Sequence, residues 1–371
     1  MIPVFKPWLT PGNIFDTNKA LFRKQISGTS SFVQKFETEF SRMHENINST
    51  AVSNGSVALD IVLQSLELKK DDEVIIPSLT IISCLAAVTR TEAKPVFCDI
   101  NESSWNMKLH NIKDVVTENT KAIIAVHTYG LPCEIAEISD FCKNEGILLI
   151  EDASEAHGVE VNSKFCGTFG DFSTFSFYAN KHITTGEGGA LLTDSDEIYQ
   201  KARQMRNLDF NSTERFKTEN LYWNYRLSGL QASLGLSQIK KMKKTINLKI
   251  NQGNYYTELL EDFQELFQLP LKENNGSHNH YWVYGVVLKK ENIREKLMED
   301  LLKAGIETRP FFWPLHLQPS LPKAYSNLNN DLPNSEYIGK NGLYIPLGSH
   351  VSKKMQKNIV EQLTTKAQSI I

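Results

Sequence analysis

Short apolar segments alternate with longer amphipathic segments through the first two thirds of the chain. The segments that favour strands span residues 73–77, 95–100, 122–126, 147–151, 173–177 and 189–193. Between them, residues 56–66 and 135–144 place apolar side chains at helical spacing. This alternation is typical of βα units, and it predicts an α/β fold with a mostly parallel sheet flanked by helices.

The pattern changes in the last third of the chain. One long helix is predicted from residue 230 to about residue 249, followed by an aromatic-rich strand at 281–289, a helix at 291–304 and a short strand at 343–346. A chain of 371 residues exceeds what one hydrophobic core usually serves. We therefore expect a large α/β domain over residues 1–245, of which about the first 20 residues pack on a smaller α+β domain over residues 246–371.

Composition and charge narrow the class of protein. With 41% hydrophobic residues, 22% charged residues and a net charge of −3, the chain resembles an ordinary globular protein that has no broad attraction to nucleic-acid phosphates. No basic segment followed by an apolar stretch opens the chain, and no apolar run approaches the roughly 20 residues that cross a bilayer. We expect a cytoplasmic protein with no nucleic-acid or membrane partner.

The cysteine and histidine patterns argue against a metal centre. The five cysteines are odd in number and widely spaced, which favours reduced, buried thiols over disulfides. His278 and His280 lie close together, yet no HExxH or CxxC motif accompanies them. We expect no metal site.

A polar, glycine-rich loop with a single lysine follows the strand predicted at 173–177. Loops at the carboxyl ends of parallel strands line the ligand crevice of an open α/β sheet. There the amine of Lys181 can condense with an aldehyde, once burial or a neighbouring cation lowers its pKa. The spacing alone favours a surface lysine beside a structural turn, and no GK[ST] follows to form a nucleotide P-loop.

Two further elements carry candidate chemistry. Asp152 follows the apolar residues 147–150, where a carboxylate can keep the ring nitrogen of an electron-sink cofactor protonated. An acidic cap on the next helix explains Asp152 equally well in isolation. Residues 53–56 precede a predicted helix whose free N–H groups suit a phosphate, although the same residues also form a plain N-cap.

The order of these elements resembles the DegT/DnrJ/EryC1/StrS family of sugar aminotransferases. The resemblance covers nearly the whole chain and rests on the segments SSFVQKFETEF, SNGSVAL, DDEVIIPSLT, KPVFCDI, HTYGLPCEI, EDASEAHG, CGTFGDFSTFSFYANKHITTGEGG, NYRLSGLQASLGLSQI and GIETRPFFWPLHLQP, in that order. It implies a fold-type-I aminotransferase that binds pyridoxal 5'-phosphate (PLP), with a seven-stranded sheet. It also implies a homodimer whose active sites are shared between the subunits.

The resemblance assigns roles to residues around the cofactor. It implies that Lys181 forms a Schiff base with PLP and that Asp152 pairs with the pyridinium nitrogen. Glu155 takes a position near the ring hydroxyl, where many relatives carry glutamine or histidine. The cofactor phosphate is expected to contact Gly55, Ser56 and Ser176.

Other expected contacts lie farther from the reacting atoms. Asn224 is expected to reach the phosphate of the cofactor in the neighbouring subunit. Ile81 stands where the family commonly has an aromatic residue on the cofactor ring, and an aliphatic side chain there gives up about 0.5–1.5 kcal/mol of ring stacking. Arg309 is expected to contact the phosphates of a sugar nucleotide, for which its forked guanidinium is suited, and His316 is expected to lie near the sugar.

One departure seen in some relatives and several similarities to others narrow the reaction. Some relatives replace the lysine with histidine and act as dehydratases, but counting back from TTGEGG places Lys181, and not His182, in the lysine position. Glu155 and the segments SSWNM and IETRPFFWPLH resemble those of family members that aminate C4 of GDP-4-keto-6-deoxymannose. This resemblance implies a 4-aminotransferase that takes its amino group from L-glutamate. The alternatives are an NDP-3-keto- or UDP-4-keto-sugar aminotransferase, a non-catalytic PLP-binding regulator of the same fold, and a nucleotide-binding α/β module.

Overall fold

The computed structural model describes residues 1–45, 47–210, 216–325 and 331–370. The helices are α1 (Pro11–Phe22), α2 (Ser31–Met43), α3 (Gly55–Ser65), α4 (Ile82–Thr89), α5 (Leu109–Lys113), α6 (Ile135–Glu145), α7 (Asp196–Met205), α8 (Gly229–Ile239), α9 (Met242–Leu260), α10 (Arg294–Lys303), α11 (Pro333–Asn341) and α12 (Lys353–Ile370). The strands are β1 (Asn48–Val52), β2 (Glu73–Pro77), β3 (Lys94–Cys98), β4 (Thr120–Val126), β5 (Leu148–Asp152), β6 (Glu160–Val161), β7 (Lys164–Phe165), β8 (Phe172–Ser176), β9 (Gly189–Thr193), β10 (Phe267–Gln268), β11 (Glu273–Asn274), β12 (Ser277–His278), β13 (Tyr284–Leu288), β14 (Arg309–Pro310) and β15 (Gly342–Ile345).

Seven strands form the central sheet, in the order β1-β9-β8-β5-β4-β2-β3. Strands β3, β2, β4, β5 and β8 pair in parallel, whereas β9 is antiparallel to both of its neighbours, β8 and β1. The predicted α/β fold with a mostly parallel, seven-stranded sheet is confirmed. The sequence pattern does not indicate β1, because this strand is only five residues long and its first three residues are polar.

Helices cover both faces of the central sheet, so its inner strands are buried on both sides. In β4, Ile123 faces a core shared with Phe36 of α2. The next residue, Ile124, faces a second core shared with Leu59 of α3. This explains why the inner strands appear in the sequence as continuous apolar runs and not as an alternation of apolar and polar residues.

The long helix predicted at residues 230–249 is wrong, because the structure divides it into α8 and α9. The break lies at Lys240 and Lys241, and the backbone of Lys241 leaves the helical region with φ −113° and ψ 0°. Helix α8 packs against α2, with Gly235 lying against the ring of Phe36. Helix α9 instead contributes Tyr256 to the core of the last third of the chain, so the two helices need different directions.

A four-stranded antiparallel sheet, in the order β10-β13-β15-β14, forms the centre of the last third of the chain. Its core includes Leu297 of α10 and Ile359 of α12. Strands β11 and β12 form a hairpin whose turn contains Asn275 and Gly276, both with positive φ, as a tight hairpin turn requires. We propose that this smaller domain begins with α9, a few residues before the division expected at residue 246.

The N-terminal segment contacts both parts of the fold. Ile2 pairs with Ile306, and the amide of Leu347 donates to the carbonyl of Val4 at 3.2 Å. Helix α1 instead packs on α8, where the side-chain amide of Asn13 donates to Ser237 Oγ at 2.9 Å. None of the helices in the described ranges combines the length and the apolar character that a bilayer crossing requires.

Candidate active site

A cavity of about 680 Å³ opens at the carboxyl edge of the central sheet, where its parallel strands end. Strand β5 brings Asp152 to this edge, strand β8 brings Ser176, and the loop after β8 brings Lys181. The first residues of α3 close another side of the cavity. The predicted residues that line it are Gly55, Ser56, Ile81, Asp152, Glu155, Ser176, Lys181 and Arg309.

The alternation of side chains at the end of β5 separates two neighbouring acids. Asp152 lines the cavity, is 3% exposed and accepts a hydrogen bond from the amide of Ser154 at 3.0 Å. The preceding Glu151 points to the other face, as successive residues of a strand do. There its carboxylate lies 2.8 Å from His127 Nε2 and accepts hydrogen bonds from the amides of Gly167 and Phe169. Of these two acids, Asp152 is therefore the one that faces the cavity.

The N-terminus of α3 offers polar groups to the same cavity. Asn54 caps the helix, since its side-chain oxygen accepts from the amide of Val57 at 2.9 Å. The Oγ atoms of Ser56 and Ser83 lie 2.6 Å apart at the cavity surface. A Cβ atom on Gly55 would lie 3.0 Å from Ser176 Cβ, so a glycine lets the helix start approach β8. The free N–H groups of such a helix start favour an anion.

A glycine in β9 also brings the strand close to this helix start. A Cβ atom on Gly189 would lie only 2.4 Å from the carbonyl carbon of Asn54. A side chain at position 189 would therefore push the first residues of α3 out of place. This close approach explains why the last residue of the GEGG segment is a glycine.

Lys181 lies buried at the base of the cavity. Its Nζ is 3.5 Å from Glu155 Oε1 and 3.7 Å from the centroid of the Trp282 ring. Burial lowers the pKa of Lys181 from its usual value, while the charges of Glu155 and Asp152 oppose that change. A lysine in this setting has a larger neutral fraction than an exposed one, as a nucleophilic amine needs.

Glu155 is the immediate acidic partner of Lys181. Burial raises the pKa of Glu155 to about 7, although the positive charge of Lys181 and the amide of Tyr129 act to lower it. That amide donates to Glu155 Oε2 at 2.7 Å. At neutral pH the carboxyl group therefore exchanges between its charged and uncharged forms.

His182 points away from the large cavity. It is 1% exposed, and its Nε2 lies 3.0 Å from the carbonyl oxygen of His280. Burial holds the pKa of His182 well below its usual range. Lys181, and not the neighbouring His182, lines this cavity.

Ile81 and Arg309 occupy the outer part of the cavity. Ile81 is the N-cap residue of α4 and is 39% exposed. Arg309 comes from β14, and its guanidinium lies 3.3 Å from Glu307 and 5.6 Å from the centroid of the Phe5 ring. Its side chain remains about half exposed, so the charge is open to a ligand.

Two predicted residues do not line this cavity. Asn224 is exposed, pairs with Asn207 in a single β-bridge, and accepts a hydrogen bond from the amide of Arg226 at 3.3 Å. The side chain of His316 is buried, with Nδ1 2.6 Å from Ser78 Oγ and Nε2 3.4 Å from Glu336 Oε1. The contact of His316 with a sugar stays a prediction. In the structure its ring lies between Ser78, which follows β2, and Glu336 of α11.

Sequence reasoning missed an aromatic wall of the cavity, which is formed by Trp282, Phe312 and Tyr344 from the last third of the chain. Tyr129 lies behind this wall, and its ring is stacked with those of Trp282 and Phe312 at centroid distances of 6.1 and 5.3 Å. The aromatic run around residue 282 was visible in the sequence, but it indicated only a strand. Which loop an aromatic side chain faces depends on how the two parts of the chain pack.

The residues around the cavity fit PLP by their chemistry. A buried carboxylate, a buried lysine, serine hydroxyls and a helix N-terminus face one space, and these are the groups that a pyridinium ring, an aldehyde and a phosphate require. The model of the DegT/DnrJ/EryC1/StrS aminotransferase family matches residues 13–364. The chain belongs to this family.

Individual relatives refine this assignment. The aminotransferase is 33% identical over 362 residues to a GDP-perosamine synthase of Escherichia coli O157:H7, an alignment that covers 98% of this chain and 97% of that protein. It is 36% identical over 324 residues to a GDP-perosamine synthase of Vibrio cholerae, covering 86% of this chain and 87% of that protein. A solved structure of an E. coli GDP-4-keto-6-deoxy-D-mannose-3-dehydratase with bound hydrated PLP superposes with a TM-score of 0.89 at 26% identity, covering 98% of this chain and 99% of that one. The protein is a PLP-dependent sugar-nucleotide aminotransferase.

Proposed function

We propose that this aminotransferase moves the amino group of L-glutamate to C4 of GDP-4-keto-6-deoxymannose and so forms GDP-perosamine. The observation that carries the proposal is that Lys181, Asp152 and the start of α3 face one cavity. The choice of sugar is supported by the two GDP-perosamine synthases, at 33% and 36% identity. In the first half of the reaction glutamate gives up its nitrogen, takes the oxygen of a water molecule in its place and leaves as a keto acid. In the second half the nitrogen replaces the ketone oxygen, which leaves as water.

The residues around the cavity divide the work of holding the cofactor. When bound, PLP supplies an aldehyde carbon that links to amines and a ring that stores electrons. The Asp152 carboxylate would accept a hydrogen bond from the protonated ring nitrogen, and Glu155 would lie near the ring hydroxyl. Ile81 would pack on the face of the ring. The phosphate would accept hydrogen bonds at the start of α3, from Gly55, Ser56 and Ser176.

Lys181 would move the proton in both halves of the reaction. The neutral Nζ of Lys181 would accept a proton from the substrate carbon that bears the nitrogen. It would then return the proton to the cofactor carbon on the other side of that nitrogen. The lowered pKa of Lys181 supports this role, since a base must be neutral before it accepts a proton.

Arg309 and the aromatic wall would bind the sugar nucleotide. The half-exposed guanidinium of Arg309 suits a diphosphate, with which it can form two parallel hydrogen bonds. The ring of Phe312 would pack against the sugar on the side opposite the central sheet. This arrangement would place the keto carbon near Lys181 while the nucleotide extends toward the mouth of the cavity.

We propose in addition that the protein is a homodimer with shared active sites. Leu221 and Trp223 are 97% and 67% exposed and lie next to Asn224, which supports a covered position for this segment in a dimer. Asn224 would then reach the cofactor phosphate of the partner subunit. Sedimentation of the wild-type protein and of Leu221→Glu tests the dimer. We expect a dimeric wild type and a monomeric variant, because the charge would break the interface. A monomeric wild type would contradict the proposal.

A panel of keto-sugar nucleotides with L-glutamate as the amino donor tests the reaction. The panel contains GDP-4-keto-6-deoxymannose, a UDP-4-keto sugar and a dTDP-3-keto sugar, and the products are identified by mass spectrometry and NMR. We expect amination at C4 of the GDP sugar and no turnover by Lys181→Ala. A stronger preference for either of the other sugars would overturn the choice of substrate, and bound PLP without any glutamate half-reaction would point to a regulator.

A further inference from the structure

A second buried lysine lies behind the loop that carries Lys181. Lys249 on α9 is 7% exposed, and in the described parts of the chain no carboxylate forms an ion pair with it. Burial and repulsion from Lys181 lower the pKa of Lys249 to about 7. A buried cation without an acidic partner is costly in free energy. The reaction described above gives this residue no task.

The contacts of Lys249 are two backbone carbonyl groups. Its Nζ donates to the carbonyl oxygen of Asn180 at 3.2 Å and to that of Trp282 at 3.0 Å. Asn180 immediately precedes Lys181 in the chain, and the ring of Trp282 lies 3.7 Å from Lys181 Nζ. Lys249 therefore contacts the backbone of the residue that precedes Lys181 and the backbone of the residue whose ring lies against Lys181 Nζ.

A further hydrogen bond closes this arrangement. The indole Nε1 of Trp282 donates to the side-chain oxygen of Asn180 at 3.2 Å. The loop after β8 and the segment before β13 are thus joined through Lys249 and through the indole, in addition to the contact between His182 and the carbonyl oxygen of His280. Because these segments are about 100 residues apart in the chain, their spacing depends on such contacts across the fold.

We infer that Lys249 is a positioning residue that holds Lys181 against the Trp282 ring by tying together the carbonyls of Asn180 and Trp282. The inference rests on the proposed role of Lys181. Without the ammonium group, two carbonyl oxygens lose their donor and the loop can move relative to the indole. Lys181 would then stay in the cavity but no longer reach the reacting carbon in the required geometry, and a shift of about 1 Å costs roughly 100-fold in rate.

The test compares Lys249→Met, which keeps an unbranched side chain one atom shorter and removes the donor, with Lys249→Arg, which keeps at least two donors. A small cavity of about 30 Å³ lined by Lys249, Asn180 and Trp282 gives the guanidinium room. Gln252→Met is the matched control. Gln252 lies one turn along α9, is also buried, and donates to the carbonyl oxygens of Gly348 and Val351 at 3.0 and 2.7 Å.

For each holoenzyme we would measure kcat and KM, the melting temperature, and the fraction of bound PLP that borohydride joins to Lys181. We expect Lys249→Met to lower kcat by about 10- to 100-fold and to lower the joined fraction, with KM for the sugar nucleotide little changed. Lys249→Arg should recover most of both. Gln252→Met should lower the melting temperature as much as Lys249→Met does and leave kcat and the joined fraction unchanged.

Two results would overturn the inference. One is a folded Lys249→Met enzyme with kcat and joined fraction within about twofold of the wild type. The other is an equal loss in Lys249→Met and Gln252→Met, which would make Lys249 a packing residue. Both differ from failure of the proposed function, in which the wild-type enzyme itself would not exchange nitrogen with glutamate.

Discussion

Glu155 Oε1 lies 3.5 Å from Lys181 Nζ, and the two side chains are 7% and 8% exposed. The pair is therefore shielded from water, and each group controls the protonation of the other. Because burial raises the pKa of Glu155 to about 7 and lowers that of Lys181, a small change in pH near neutrality changes the charge of the site.

Glu155→Gln should shift the titration of Lys181 to lower pH. The ionised carboxylate stabilises the ammonium form of Lys181, so an uncharged amide in its place lowers the pKa of the amine further. The measurement is the rate at which cofactor-free protein reacts with PLP, because only the neutral amine reacts. It is followed by visible absorbance across roughly pH 5 to 9, the range in which such groups titrate. Glu187→Gln serves as control, because Glu187 lines the same cavity but is not among the groups that shift the pKa of Lys181. An unchanged midpoint in Glu155→Gln would contradict the coupling.

Ile81→Phe should tighten the binding of PLP. An aromatic ring at this position can stack on the cofactor ring and gain about 0.5–1.5 kcal/mol, or a roughly 2- to 10-fold lower Kd. Ile82→Phe is the control, since Ile82 is as exposed as Ile81, at 39%, but does not line the cavity. Absorbance titration of cofactor-free protein measures both. Equal or weaker binding by Ile81→Phe would show that Ile81 does not pack on the ring.

Gly55→Ala should weaken PLP binding. The added methyl group would lie 3.0 Å from Ser176 Cβ and would displace a proposed phosphate ligand, and such overpacking costs about 1–3 kcal/mol. Gly12→Ala is the control, since the methyl group there would also meet an atom at 3.0 Å, but that atom is the mobile end of Lys241. We expect the Kd for PLP to rise about fivefold or more in Gly55→Ala and to stay unchanged in Gly12→Ala.

Tyr129→Phe should raise KM for the sugar nucleotide. The Tyr129 hydroxyl accepts a hydrogen bond from the amide of Phe312 at 2.9 Å, so its loss frees one end of the aromatic wall. The control is Tyr284→Phe, which removes another buried hydroxyl, 3.0 Å from Thr257 Oγ1 and in the core of the smaller sheet. Steady-state kinetics should show a rise of about 3- to 10-fold in KM for the sugar nucleotide in Tyr129→Phe alone, with KM for glutamate unchanged in both. A rise in both variants would point to a general loss of packing.

The sequence predicts the bounds of strands and helices well where the local pattern and the burial of the residues agree. The strands at 73–77 and 189–193 have the predicted bounds, because each is a short apolar run between polar segments. The break between α8 and α9 could not be predicted, since apolar residues continue at helical spacing through Lys240 and Lys241 while the two helices serve different cores. When consecutive helices pack against different cores, the spacing of apolar residues along the sequence does not change.

The same limit applies to the site. Lys181 and Asp152 lie at strand ends, where the fold class itself predicts a ligand crevice, so their location followed from the sequence. The nearness of Trp282 to Lys181 depends on how the last third of the chain packs on the first, which spacing does not encode. Lys249 was visible only as the end of a predicted helix, and its contacts with two carbonyl groups became clear in three dimensions.

The aromatic wall and Arg309 come from the last third of the chain, whereas Lys181, Asp152 and the start of α3 come from the first two thirds. In the proposed function, the chemistry of nitrogen transfer and the choice of sugar would thus depend on different stretches of sequence. Exchange of residues 309–312 for those of another member of the family should alter which sugar is accepted while leaving the glutamate half-reaction intact. New acceptor specificities can then arise in this fold without rebuilding the machinery that handles the amino donor.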